Sequence, residues 1–400
     1  PTLLGANSYS KTGQVFNLVT ADGGSTWYGY EEVNNTNPQP YKLFAWGNNE
    51  FGNLGQNSEV DYSSPTQIGS DVKWASKPDH LSNYGSMQNP APGHSASFKI
   101  DSTLWMWGNN TYGQLGQNNR TQYSSPVQLS GTTWSVYAGA GRMSYAIKTD
   151  GTLWGWGQNT YGALGHNNTT KYSSPVQVGS DTTWNKLGTG YYKCIATKTD
   201  GTLWGWGLNE GNLGVNSQDP HYSSPIQIGS DTDWNKPLDG GHGAIKTTGE
   251  LWMWGSLDDG QTAQNNNIKY SSPVQVPGTT WSRGACNGFM TTAIKTDGTL
   301  WAWGKNRNGQ LGQNSETAYS SPVQVPGTTW SNVVLDNYQG ITKAIKTDGT
   351  VWVWGHNHYG ELGLNSRTNY SSPVQIPGTW GGIINMGGAP TVSASGAYKE

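Results

Sequence analysis

One tetrapeptide constrains this chain more than any other feature. The string W-x-W-G stands at Trp105-Met106-Trp107-Gly108 and begins again at Trp154, Trp204, Trp252, Trp301 and Trp352. A seventh copy reads Phe44-Ala45-Trp46-Gly47. A second string, Y-S-S-P, starts at Tyr62, Tyr123, Tyr172, Tyr222, Tyr270, Tyr319 and Tyr370, 16 residues after the second Trp in all seven copies. Another Trp follows each Tyr by 10 to 12 residues, at Trp74, Trp134, Trp184, Trp234, Trp281, Trp330 and Trp380. Only Trp27 of the 21 Trp stands outside the pattern, and the period averages about 51 residues. Self-similarity at such a period marks a solenoid or a propeller, whose units bury their faces against one another.

Each unit reads as short strands. Tyr145-Ala146-Ile147-Lys148 runs through Thr149-Asp150-Gly151-Thr152 into Leu153-Trp154-Gly155-Trp156. Asp-Gly between strand-like segments is a favoured hairpin turn, and it recurs at Asp200, Asp297 and Asp348. Ser-Ser-Pro-Val-Gln-Val is a further strand with Pro at its start. No segment holds helical periodicity over ten residues. In W-x-W both Trp point to one face, and the middle residue (Ala45, Met106, Gly155, Gly205, Met253, Ala302 or Val353) is never charged or polar. Both sheet faces are therefore covered. A buried Trp removes about 200 Å² from water, about 5 kcal/mol of gross burial, so these rings are read as scaffold.

The ends indicate a ring. The first copy starts midway, at Tyr41-Lys42-Leu43-Phe44, without its own preceding strand. Val392 follows Trp380 by 12 residues, as Ala146 follows Trp134, so Thr391 to Gly396 supplies the missing strand. Pairing beside residues 41–46 removes two exposed edges.

The run Asp150-Gly151-Thr152-Leu153-Trp154-Gly155-Trp156-Gly157-Gln158-Asn159-Thr160-Tyr161-Gly162-Ala163-Leu164-Gly165 resembles the regulator-of-chromosome-condensation repeat. The family unit has an Asp-Gly hairpin, an aromatic strand ending W-G, then N-x-x-G-x-L-G. The resemblance covers residues 41–396 and all seven copies, in a Trp-rich form that looks like phage or bacterial surface proteins. It implies an all-β fold: a seven-bladed β-propeller of four-stranded blades, closed by its N- and C-terminal strands. Residues 1–40 form an N-terminal arm or hairpin, and 41–400 the propeller. The family serves exchange factors, enzyme inhibitors and structural parts, so the resemblance leaves function open.

In a repeat protein, departures from the repeat are the candidate sites. Within the arm, Gln14 to Thr20 and Ser25 to Tyr30 flank Asp22-Gly23-Gly24, a hairpin carrying Trp27, Tyr28 and Tyr30. The Trp74-to-Trp107 interval is 33 residues against 22 in three other units. That insertion reads as a rim loop with Lys77, Pro78, His80, Pro90 and Pro92. These eight are the expected partner-binding residues. Thr262-Ala263 stands where other units have Leu-Gly, and is read with Asp258-Asp259 as drift of one repeat. Two adjacent carboxylates lack the spacing of a calcium loop.

Enzymatic signatures are missing. The seven His, at 80, 94, 166, 221, 242, 356 and 358, are read as polar loop residues, and His356 with His358 lacks a third ligand nearby. Cys194 and Cys286 sit at non-equivalent positions, so no disulfide is expected. No catalytic motif appears, and no cofactor, metal site or enzymatic activity is expected. Charged residues are only 12% and the net charge is −3, which argues against nucleic acid as a partner. No apolar run reaches membrane-spanning length. The start, Pro1-Thr2-Leu3-Leu4, shows no signal peptide. The resulting expectation is a non-enzymatic structural or attachment protein, a bacteriophage virion component such as a tail, fibre or capsid-surface part. Its partners would be other virion or surface proteins within an assembly, with a host-surface glycan as a further candidate, and its place the virion, or else the cell surface or extracellular space. The alternatives are a carbohydrate-binding lectin and a guanine-nucleotide exchange factor or chromatin-binding propeller.

Overall fold

A computed structural model describes residues 15–20, 27–32, 40–75, 81–84, 93–255, 259–335, 340–389 and 392–399. The chain forms two compact units, Pro1–Gln39 and Pro40–Glu400. In the first, strands Val15–Thr20 and Trp27–Glu32 pair antiparallel.

The second unit is a seven-bladed propeller. Blade 3 shows the pattern: strands a to d are Trp134–Ala140, Met143–Lys148, Leu153–Gly157 and Tyr172–Gln177, each antiparallel to the next. First strands of successive blades meet one another, so strand a lines the axis. Blades 4, 5, 6 and 7 repeat this order, beginning at Trp184, Trp234, Trp281 and Trp330. The one helical element among the described residues is a 3-10 turn, Thr160–Gly162. No helix among them is long and apolar enough to cross a membrane.

Blade 1 is shared between the two ends of the unit. Its strands are Gly382–Ala389, Val392–Lys399, Pro40–Gly47 and Tyr62–Gln67. Leu43 pairs with Tyr398, Ala45 with Gly396 and Gly47 with Ala394. The closing pairing is the expected one, and the C-terminal end contributes two strands to it.

The repeated residues are consumed by blade-to-blade packing. Ala96, Phe98, Leu104, Met106, Leu115 and Leu129 of blade 2 pack on Trp134, Tyr137, Ala146 and Trp156 of blade 3. The Trp156 indole donates to the Gln114 carbonyl of blade 2 at 2.9 Å. The first Trp of W-x-W is half-buried, and the second is fully buried. At the outer edge an Asn with φ of 51° to 57° donates its backbone N–H to a Ser carbonyl of the next blade: Asn57 to Ser124, Asn118 to Ser173, Asn167 to Ser223, Asn216 to Ser271, Asn265 to Ser320 and Asn314 to Ser371. Asn365 to Ser63, at 2.9 Å, joins blade 7 to blade 1 and completes the circle. Asn tolerates this left-handed conformation better than other side chains. Gly113 shows why its position is glycine: a Cβ there would lie 2.5 Å from Ser173 Cα of the next blade.

The Asp-Gly-Thr hairpins are built alike. Asp150 accepts from the Thr152 N–H at 3.0 Å and hydroxyl at 2.6 Å, and that hydroxyl accepts from the Trp154 indole at 2.9 Å. The Thr152 hydrogen bonds hold the Asp150 carboxyl below the usual carboxylate range.

Part of the insertion, Leu81–Tyr84, is a strand. Among the described residues strand a of blade 2 is Trp74–Ala75, and Leu81–Tyr84 runs parallel to Tyr137–Ala140 of blade 3. The physical reason is the open inner edge of strand a, whose free backbone groups accept a further strand.

Candidate functional site

The side chains of the eight residues expected to bind partners lie outside the described residues. Trp27, Tyr28 and Tyr30 lie on the backbone of Trp27–Glu32, paired with Thr20, Val19 and Asn17, and their side chains lie outside the described residues. Lys77, Pro78, His80, Pro90 and Pro92 lie outside them as well, as does Asp258. Among the described residues no three His, Cys, Asp or Glu side chains cluster as a metal site would require. His356 Nδ1 lies 3.2 Å from Glu361 Oε1, and its ring centroid is 6.1 Å from that of His358.

Two features gather chemistry instead. The first is a groove between adjacent blades at the end of strand b. Between blades 3 and 4 it encloses about 650 Å³, and between blades 1 and 2 about 530 Å³. Its floor is Trp184 and half-buried Trp204, and the Lys198 ammonium lies 4.0 Å from the Trp204 ring centroid. Lys198 pairs with Asp181 at 2.5 Å, and this hydrogen-bonded lysine holds the Asp181 carboxyl down. Asn167, Gln177 and Ser224 complete polar walls. Trp74, Trp105, Lys99 and Asp71 are the counterparts in the other groove, with the ammonium 3.6 Å from the Trp105 centroid. The lysine-on-tryptophan contact recurs in all seven blades, through Lys99, Lys148, Lys198, Lys246, Lys295, Lys346 and Lys399. An aromatic floor with amide, hydroxyl and charged walls suits a ligand that is apolar on one face and hydroxylated at its rim.

The second feature breaks the repeat. The residue just before strand b is Gly93, Arg142, Tyr192, His242, Phe289 or Gly340 in blades 2 to 7. The residue before the Gly of the c–d loop is aromatic in four consecutive blades, 7, 1, 2 and 3 (Tyr359, Phe51, Tyr112, Tyr161), and Glu210, Asp259 or Asn308 in the others. Where blades 2, 3 and 4 meet, these positions converge. The Arg142 guanidinium lies 4.7 Å from the Tyr112 ring centroid and donates to Gln158 Oε1 at 3.3 Å and to the Tyr192 hydroxyl at 3.2 Å. Tyr161 meets Tyr192 edge-on at 5.5 Å, and Tyr191 lies 4.4 Å from Tyr192. Sequence reasoning missed this cluster; the signal was the irregular a–b turn inside a regular repeat.

Two of the histidines are buried. His94 is buried, its ring bonded to the Tyr137 hydroxyl at 2.6 Å, and burial pushes its pKa down to about 4. His242 is buried against Lys193, whose Nζ lies 3.1 Å and 3.2 Å from its two ring nitrogens. Burial, then the Lys193 charge, holds His242 well below its ordinary range. Both sit at the start of strand b, where the fold turns inward. Cys194 and Cys286 are buried and unbridged.

Comparison with known proteins agrees with the geometry. A profile described as the regulator of chromosome condensation (RCC1) repeat matches residues 42–76, 101–146, 150–196, 297–335 and 348–384, and a second profile of that repeat matches 283–310. Together they take in more than half of the chain. Among curated proteins, none matches the sequence. Human WBSCR16 superposes with a TM-score of 0.75 at 17% identity, over 90% of this chain and 99% of that one. Prp20p from Saccharomyces cerevisiae gives 0.73 at 18% identity, over 90% and 92%. Yeast RCC1 (Prp20) bound to Kap60 gives 0.73 at 17%, over 100% and 96%. At such identities the likeness speaks for the fold alone.

Proposed function

The chain belongs to the regulator of chromosome condensation repeat family, and on that premise we propose that it is a non-enzymatic attachment scaffold that presents one groove per blade to a repetitive, hydroxyl-rich surface. The observation that carries this reading is the groove itself, found with equivalent lining at two interfaces, its lysine-on-tryptophan floor present in every blade. Seven weak sites on one rigid ring gain avidity without new contacts. A host-surface glycan has the matching chemistry. The sparse charge and Asn/Ser/Thr-rich surface fit a virion or cell-surface component, the place proposed for it.

A glycan array probed with the full chain tests the proposal. Binding should fall at least tenfold when Asp71, Asp181 and Asp231 are changed together to Ala, since each pairs with a groove lysine. Retention of no glycan would refute the attachment reading. A second reading, an exchange factor or chromatin-binding propeller, draws on Prp20p, whose structure was described with its binding to Gsp1p and histones. Pull-down with those two proteins separates the readings.

A further inference from the structure

We propose that the Arg142–tyrosine cluster on the a–b turn face is a docking site for an acidic, extended protein segment, separate from the blade grooves and independent of what they bind.

The cluster has the composition of a binding hot spot. Tyrosine and arginine dominate such spots because they offer large rigid contact area at little entropic cost. Tyr161 is 40% exposed, Tyr112 and Tyr191 are half-buried, and Arg142 is half-buried between them. Scaffold need does not explain the arrangement, because the other blades close the same turns with different residues.

The backbone is held in strain to present it. Tyr161 has φ of 61° and Tyr192 φ of 48°. A bulky side chain in the left-handed region costs about 1–2 kcal/mol, and such outliers gather at functional sites. Of the equivalent positions, Phe51 and Tyr112 of blades 1 and 2 are not in that region, whereas Glu210 of blade 4 is, at φ of 46°. Tyr161 is thus turned at a cost into an exposed position beside Tyr192.

Charge sets the partner. The Lys171 ammonium lies 5.2 Å from the Tyr112 centroid, on the same ring that carries Arg142. Two cations on one half-buried tyrosine form a cationic end. Glu210 and Asp219 belong to the blade 4 end, where Lys269 donates to the Glu210 carbonyl. Between Arg142 and Tyr191 a crevice floored by Ala140, Met143 and Gly190 has room for about one water, so a partner lies across the face instead of entering it. A segment with carboxylates over Arg142 and Lys171 and an uncharged, apolar side chain against Tyr161 and Tyr191, where Glu210 stands near, matches the face.

The test is selection of a displayed random 12-residue peptide library on the full-length protein, followed by fluorescence anisotropy of the enriched peptides. Enriched peptides should be rich in Asp and Glu, weaken with added salt, and bind Arg142→Ala and Lys171→Ala at least tenfold more weakly. Tyr161→Asn distinguishes docking from structure. Asn accepts a positive φ, so the variant should melt at the wild-type temperature or above it while losing at least tenfold in affinity. Peptides without acidic enrichment, or peptides that bind Tyr161→Asn and Arg142→Ala as tightly as wild type, overturn the proposal. Arg142-dependent binding of a sulfated oligosaccharide, with no peptide enriched, would assign the face to an anionic glycan and overturn it equally.

Discussion

Lys193→Met should make the propeller more stable, and most so at low pH. Lys193 begins strand b of blade 4, where blades 3 and 6 have Met143 and Met290. It is 2% exposed, and burial pushes its ammonium down from 10.5 to about 7. The unfolded chain holds this proton up to its ordinary pKa and the folded chain only up to about 7. Between those values the unfolded state binds more protons, so stability rises with pH. The penalty is complete below about pH 7 and gone above about pH 10.5. At pH 6.5 it amounts to several kcal/mol, and at pH 9.5 to about 1 kcal/mol. Methionine removes the penalty and returns a carbonyl to use. Lys193 Nζ occupies the Asn212 oxygen at 2.8 Å, and Trp254 Nε1 is buried with no partner. In blade 3 the equivalent indole uses the equivalent carbonyl, so its recovery is worth about 1 kcal/mol more. Urea denaturation of wild type and variant at both pH values measures the difference. The variant's advantage should shrink by about 3 kcal/mol from pH 6.5 to pH 9.5. An advantage that does not change with pH, or a variant less stable at pH 6.5, refutes the reasoning.

Three further outcomes are expected. Removing residues 392–400 takes away the strand that pairs with 42–47, together with buried Ala394, Ala397 and Tyr398, and should lower the melting temperature by about 10 °C or more in calorimetry. Ala263→Gly should gain about 1 kcal/mol in urea denaturation, because Ala263 holds φ of 62° where other units have glycine; Thr262→Leu, which replaces a buried hydroxyl that has no partner, should gain a similar amount. Deleting residues 1–38 should leave the melting of the 40–400 unit within a few degrees while abolishing co-sedimentation with the assembly it serves; a truncated chain that assembles normally refutes the role given to Trp27, Tyr28 and Tyr30.

The ring was legible because its determinants recur. One Asn-Ser contact or one W-x-W strand is weak evidence, but seven copies at fixed spacing admit one register. Closure was legible from a deficit, the absent strand before Tyr41, and from the spacing of Val392 after Trp380. The strand at Leu81–Tyr84 was not legible. Length shows that residues are extra, but the edge that receives them is created only when blade 3 places Tyr137–Ala140 at the axis. The same limit hid Lys193 and His242. Both are polar residues at the start of strand b, and only the inward turn of that segment shows them to be buried beside each other.

The division between scaffold and site follows from how the side chains are spent. Trp107, Trp156 and their equivalents, the Asn ring and the Gly-Ser contacts all face a neighbouring blade, so changing any one costs packing on two units at once. The turn between strands a and b lies beyond the ladder and meets the next blade through side chains such as Arg142 on Tyr192. It can carry Gly93, Arg142, Tyr192 or Phe289 without disturbing the ladder behind it, and that freedom is why chemistry can differ there from blade to blade. Within the c–d loop Tyr161, like Glu210 of blade 4, takes a positive φ where Phe51 and Tyr112 do not, and it stands against Tyr192. Its ring packs on Tyr192 and His221 of blade 4 and stays 40% exposed, which suits a side chain that meets a partner from outside.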